Sequence, residues 1–141
     1  MKTIRLLYFK ALFISFIFVS SSLMWNCSGA SPELSQYRNA LKTQMQTMVN
    51  TLNGGHYNQF MQNYVEPSYI SKVGGLDQAL IQFDNKKQKE VYAMLQIAKN
   101  IEPMYSSKSK LMTYFDNAMP IPVTFKMVNG KWYLTGDMFQ N

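Results

Sequence analysis

Few side chains in this 141-residue chain could do covalent or metal chemistry. There is one cysteine, Cys27, and one histidine, His56. A lone thiol excludes an intrachain disulfide and a multi-cysteine zinc site. Cys27 closes the stretch "SLMWNC" at the end of an apolar run. It could be a lipid-attachment point, part of a discarded leader, or a buried thiol. Because it precedes every helix or strand pattern, it is a poor catalytic nucleophile. His56 lies in "GGHY", in a turn between two helical patterns, where a surface or loop-packing histidine is the plainest use and a base or ligand the alternative. Glu102, Asp116 and Asp137 fall near strand ends, where turn formation and solvation account for acids. No nucleophile, base and orienting group can be assembled from these residues.

Three other features invite chemistry and are better explained by structure. The glycine pairs in "GGHYNQ" and "GGLDQA" lack the Lys-Ser/Thr of a phosphate loop and follow helical rather than strand patterns, so they read as helix ends. The 11 methionines are scattered, and Met45 and Met48 lie on an apolar helix stripe. They fill a core rather than gather copper(I). The "KKQK" cluster of Lys86, Lys87 and Lys89 beside Glu90 reads as a solvated helix start. No aromatic-interleaved basic stripe accompanies it, so no nucleic-acid partner is expected. No cofactor and no metal are called for.

The excess of basic residues has a local origin. The chain holds 14 Lys+Arg and 8 Asp+Glu. Lys2, Arg5 and Lys10 all fall in the first ten residues, where there is no acid, leaving 11 basic residues against 8 acidic beyond them. "MKTIRLLYFK" is a charged n-region, and "ALFISFIFV" is an apolar h-region broken by "SSS". The run is shorter than the ~20 residues that span a bilayer comfortably. Two cleavage sites compete. One lies before Cys27, giving a signal peptide over 1–26, a tether over 27–32 and a domain over 33–141. The region around Cys27 resembles a bacterial lipobox, with Leu23 and Met24 upstream and "SGAS" from Ser28 on. Trp25 and Asn26 depart from the strict pattern, which wants small residues there. The resemblance implies a diacylglyceryl thioether on Cys27 and a place in the bacterial cell envelope. The other site lies after Ala30, with small Ser28 and Ala30 in the recognition positions, and would give a secreted or periplasmic product.

The remaining chain divides into helical and strand patterns. In "SPELSQYRNALKTQMQTMVNTLNGG", Ser31 can cap and Pro32 sits where its missing donor costs nothing. Leu34, Tyr37, Leu41, Met45, Met48 and Leu52 form one stripe, and Gly54 or Gly55 can end the helix. "HYNQFMQNYV", "PSYISKV" and "LDQALIQF" predict short helices, and "KKQKEVYAMLQIAKN" a longer one capped by Asp84 or Asn85. The period then changes. "IEPMY" and "KLMTYF" predict one hairpin, and "IPVTFKMVNGKWYLTG" a second with a type I′ turn at Asn129-Gly130. That turn sets Phe125 opposite Leu134 and Met127 opposite Trp132. It puts Val123, Phe125, Met127, Trp132 and Leu134 on an apolar face, as core or as the lining of a pocket under the helices. Thr124, Lys126, Lys131, Tyr133 and Thr135 take the wet face. The fold expected is α+β, with N-terminal helices on one face of a C-terminal antiparallel meander of about four strands.

The segments "LNGGHYNQFM", "YVEPSYISKVGGLDQALIQF" and "NGKWYL" resemble small exported bacterial domains of the cystatin-like and nuclear-transport-factor-two-like superfamily, over most of residues 33–136. That resemblance implies a scaffold shared by isomerases, dehydratases and pure binding modules, so fold alone does not choose among them. Its binding version implies a membrane-anchored domain that takes a protein or a small apolar ligand. Its enzyme version implies an acid or histidine in an apolar cone, with Asp116, His56 or a tyrosine as the candidates.

Overall fold

The computed structural model describes residues 31–140. The leader and Cys27 lie outside the described residues. Helix α1 (Pro32–Asn53) carries Pro32 in its first turn and buries Leu41, Met45, Met48, Val49 and Leu52 along one stripe. It ends where Gly55 takes φ +72°, with its N–H donating to the Leu52 carbonyl. Helix α2 (Tyr57–Tyr64) buries Phe60 and Met61. Helix α3 (Pro67–Lys72) starts on a proline, and Gly74 and Gly75, at φ +98° and +104°, turn the chain into α4 (Leu76–Gln82). Helix α5 (Asn85–Ala98) is capped by Asp84, whose carboxylate accepts from the Lys87 N–H at 2.9 Å. Its stripe of Val91, Met94, Leu95 and Ala98 is buried.

Four strands follow: β1 (Met104–Ser106), β2 (Leu111–Tyr114), β3 (Val123–Val128) and β4 (Lys131–Leu134). They form one antiparallel sheet in the order β1-β2-β3-β4. The β3–β4 register is the expected one, with Phe125 opposite Leu134, Lys126 opposite Tyr133 and Met127 opposite Trp132. Asn129 at φ +51° and Gly130 at φ +78° supply the two positive angles that the type I′ turn demands. Met112, Tyr114, Val123, Phe125, Trp132 and Leu134 are buried beneath the helices. Thr113, Thr124, Lys126 and Tyr133 stay partly accessible on the other face. The fold is therefore α+β, helices first and a four-stranded antiparallel meander last.

Two features complete the sheet. The free edge of β4 is covered where Val65 bridges to Leu134 in parallel and the Glu66 N–H donates to the Leu134 carbonyl at 3.0 Å. A bare edge is a template for unwanted pairing, and this clasp removes part of it. Beyond β4, a 3₁₀ turn (Gly136–Phe139) folds Met138 and Phe139 back into the core.

Trp132 joins α1 to the sheet. Its ring meets Tyr37 edge-on at 5.5 Å between centroids, and its carbonyl accepts from Gln44 Nε2 at 3.0 Å. Only 5% of it is exposed. Trp132→Ala is expected to cost about 3–5 kcal/mol of unfolding free energy. Urea denaturation checks this, and a midpoint near that of the unaltered chain would contradict the packing.

Candidate functional site

The apolar face of the hairpin is core. Val123, Phe125 and Leu134 have no solvent-accessible surface, Trp132 has almost none, and Met127 is half-buried at the open end of the same face. Of the two uses open to these five, core or pocket lining, the four buried ones take the first for a simple reason. The stripes of α1 and α5, together with Phe60, Phe83, Met138 and Phe139, fill the space above the sheet. Phe60 and Phe83 stack at 5.5 Å, and Phe139 meets Phe83 at 5.6 Å and Tyr69 at 5.3 Å.

The interior holds little that could do acid–base work. Among the described residues no acid and no histidine is buried. His56 is exposed at the start of α2. The exposed Asp116 accepts from the Ala118 N–H at 2.9 Å, in the turn role its sequence position implied. Glu102 pairs with Arg38 at 3.0 Å at the start of β1, and Asp137 is exposed on the 3₁₀ turn. Asp116 and His56, named with a tyrosine for the enzyme reading, thus lie on separate exposed turns and not in the core. Among the described residues no cluster of His, Cys, Asp and Glu could hold a metal ion. One buried hydroxyl does lie on the core side of the sheet. Tyr114 Oη has no hydrogen-bond partner, and neither does Arg38 Nε. Burial pushes the Tyr114 phenol well above its ordinary value; Arg38 pulls against that shift and Glu102 adds to it.

A concave surface lies on the opposite face of the sheet. A groove of about 510 Å³ has Leu111, Thr124, Lys126 and Thr135 as its floor. Glu66, Ser68, Tyr69 and Lys72 form one wall, and Ser109, Gly136, Asp137 and Gln140 complete the lining. The sequence dictates this arrangement. Strand alternation sends Thr124 and Lys126 away from Val123 and Phe125. The clasp on β4 turns Val65 into the core and leaves Glu66 beside the outer face. Glu66 Oε1 then accepts from Lys126 Nζ at 2.8 Å. The Glu66 side chain is only 13% exposed. Thr113 and Thr124 share a hydroxyl contact at 3.4 Å, and Thr135 Oγ1 is buried without a partner. Gly136 packs so closely on Tyr69 that a Cβ there would fall 2.6 Å from the ring.

Sequence reasoning placed Lys126 and Thr124 on the wet face but did not join them to Glu66 or α3. The usable signal was "YVEP", an extended pair between two helical patterns whose first residue is apolar and whose second is acidic.

Compared with protein-family models, curated proteins and solved structures, the chain matches none.

Burial pushes the Glu66 carboxyl upward. Hydrogen bonds from Lys126 and Ser68, with the Lys126 charge, outweigh burial and hold it below its ordinary value. A carboxyl depressed by folding stabilises the fold above its unfolded pKa, and that contribution is lost as pH falls through the folded value. Glu66→Gln is therefore expected to lower stability at pH 7 by about 1 kcal/mol. The gap between the two chains should close as the pH falls below the ordinary carboxylate range. Urea titrations across pH check this, and a gap independent of pH would contradict it.

Proposed function

We propose that this chain is an exported bacterial envelope domain, held to a membrane by a lipid on Cys27, that works by binding rather than by catalysis. The supporting observation is the spacing between leader and fold. The apolar run ends at Cys27, and α1 begins at Pro32, leaving a polar tether of small residues between. The packed stripes and the hairpin register need no thiol. No described helix is long and apolar enough to cross a membrane. The resemblance to exported cystatin-like and nuclear-transport-factor-two-like domains supports the same reading at the level of architecture.

The binding surface in this reading is the outer groove. Its Glu66–Lys126 pair, Lys72 and Asp137, beside the apolar surface of Leu111 and Tyr69, suit a partner with both polar and apolar groups, such as a segment of an envelope protein. The closed core over Val123, Phe125 and Leu134 offers an apolar ligand no accessible surface on those residues.

Two measurements test this. Intact mass of the native protein should show a diacylated species beginning at Cys27; an unmodified species beginning at Ser31 would overturn the anchor. Thermal-shift screening with short peptides and polar cell-wall fragments should find ligands that raise the melting temperature of the unaltered chain. Thr124→Trp, which fills the groove floor, should abolish that rise. Equal stabilisation of both chains, or none of either, would overturn the groove.

A further inference from the structure

We propose that Met104 is a reversible oxidation site. Its thioether takes oxygen from a peroxide, the sulfoxide formed is open to enzymatic reduction, and the fold survives both steps. The site needs neither a lipid on Cys27 nor a ligand in the groove.

The methionines of this chain fall into sharply different surroundings. Of the 11, Met1 and Met24 precede the described residues, which leaves nine. Seven of those are core, with at most 4% of their surface exposed. Met127 is half-buried. Met104 is 67% exposed. Of the three large apolar side chains that stand exposed among the described residues, Met104 alone carries sulfur.

The backbone explains that exposure. Met104 opens β1, an outer strand of the sheet. Tyr105 turns inward, where its ring lies 6.0 Å from that of Tyr37 on α1. Alternation then sends Met104 to the opposite face. Its partner across the ladder is Thr113, itself partly accessible. No core contact depends on the Met104 side chain remaining apolar.

The chemistry follows from access. A lone pair on the thioether sulfur attacks one oxygen of hydrogen peroxide. The S–O bond forms as the O–O bond breaks, and the sulfur is oxidised by two electrons. The attacked oxygen gives its proton to the departing hydroxide, which leaves as water. At a core methionine the peroxide must first enter through an opening of the fold, and the product sets a polar S–O group among apolar neighbours. At Met104 the sulfur meets peroxide in open solvent and the product stays hydrated. The same access serves the reverse step. A sulfoxide reductase supplies two electrons and two protons from a dithiol, the oxygen leaves as water, and the dithiol becomes a disulfide.

The test treats the native full-length protein with hydrogen peroxide at neutral pH and follows the added oxygen at each of the nine positions by peptide mass mapping. Met104 should react at least about tenfold faster than any of the seven core methionines, with Met127 between. A core methionine that reacts as fast as Met104 would overturn the site. In guanidinium chloride the nine rates should converge; the same order in the unfolded chain would show that the fold does not set it, and would overturn the proposal too. Met104→Leu should remove the fast phase, and a fast phase that persists would contradict the assignment. The protein oxidised at Met104 alone should melt with the unaltered chain, whereas a clearly lowered transition would contradict survival of the fold. A mixture of reductases for both sulfoxide epimers, with dithiothreitol, should restore the Met104 thioether. Sulfoxide that persists at this position would overturn reversibility.

Discussion

The two-residue turn at Asn129-Gly130 is the constraint on which the rest of the structure depends. Positive φ at both positions admits one register between β3 and β4, and a slip of one residue would exchange the two faces of the hairpin. In the native register Phe125, Trp132 and Leu134 meet the helices, while Thr124 and Lys126 face outward. Leu134 then serves a second purpose. Its backbone receives Val65 and Glu66, and that clasp carries Glu66 to Lys126. Core and groove are thus two consequences of one turn.

Adaptable side chains make up a part of the interior. Met45, Met48, Met61, Met94, Met112, Met119 and Met138 are all buried. A flexible thioether fills irregular gaps between packed elements. Aromatic contacts give this core its shape. The Phe60–Phe83 stack, with Phe139 against Phe83 and Tyr69 against Phe139, ties α2, α3 and the end of α4 to the 3₁₀ turn. Filling of this kind leaves the accessible polar chemistry on the outside, where the sheet and α3 form a concave surface.

Much of this was legible in the sequence because it is periodic. The α1 stripe, the α5 stripe under its Asp84 cap and the hairpin alternation each follow from spacing alone. What escaped has no period. A one-residue parallel bridge at Val65 leaves no pattern, and Glu66 meets Lys126 across sixty residues. The positive φ of Lys110 in the β1–β2 turn is carried by a residue type that gives no warning of it. Whether the apolar face was core or pocket could not be read either. That depends on how far α1, α5 and the 3₁₀ turn fill the volume above the sheet, and periodicity does not count volume.

The central claim is a closed core with the accessible surface on the outer face. Methyl NMR with a soluble paramagnetic agent tests it directly. The account predicts that Val123 and Leu134 methyls keep their intensity while those of Leu111 and Thr124 broaden. Broadening at Val123 and Leu134 would mean an open apolar cone beneath the helices, and would contradict it.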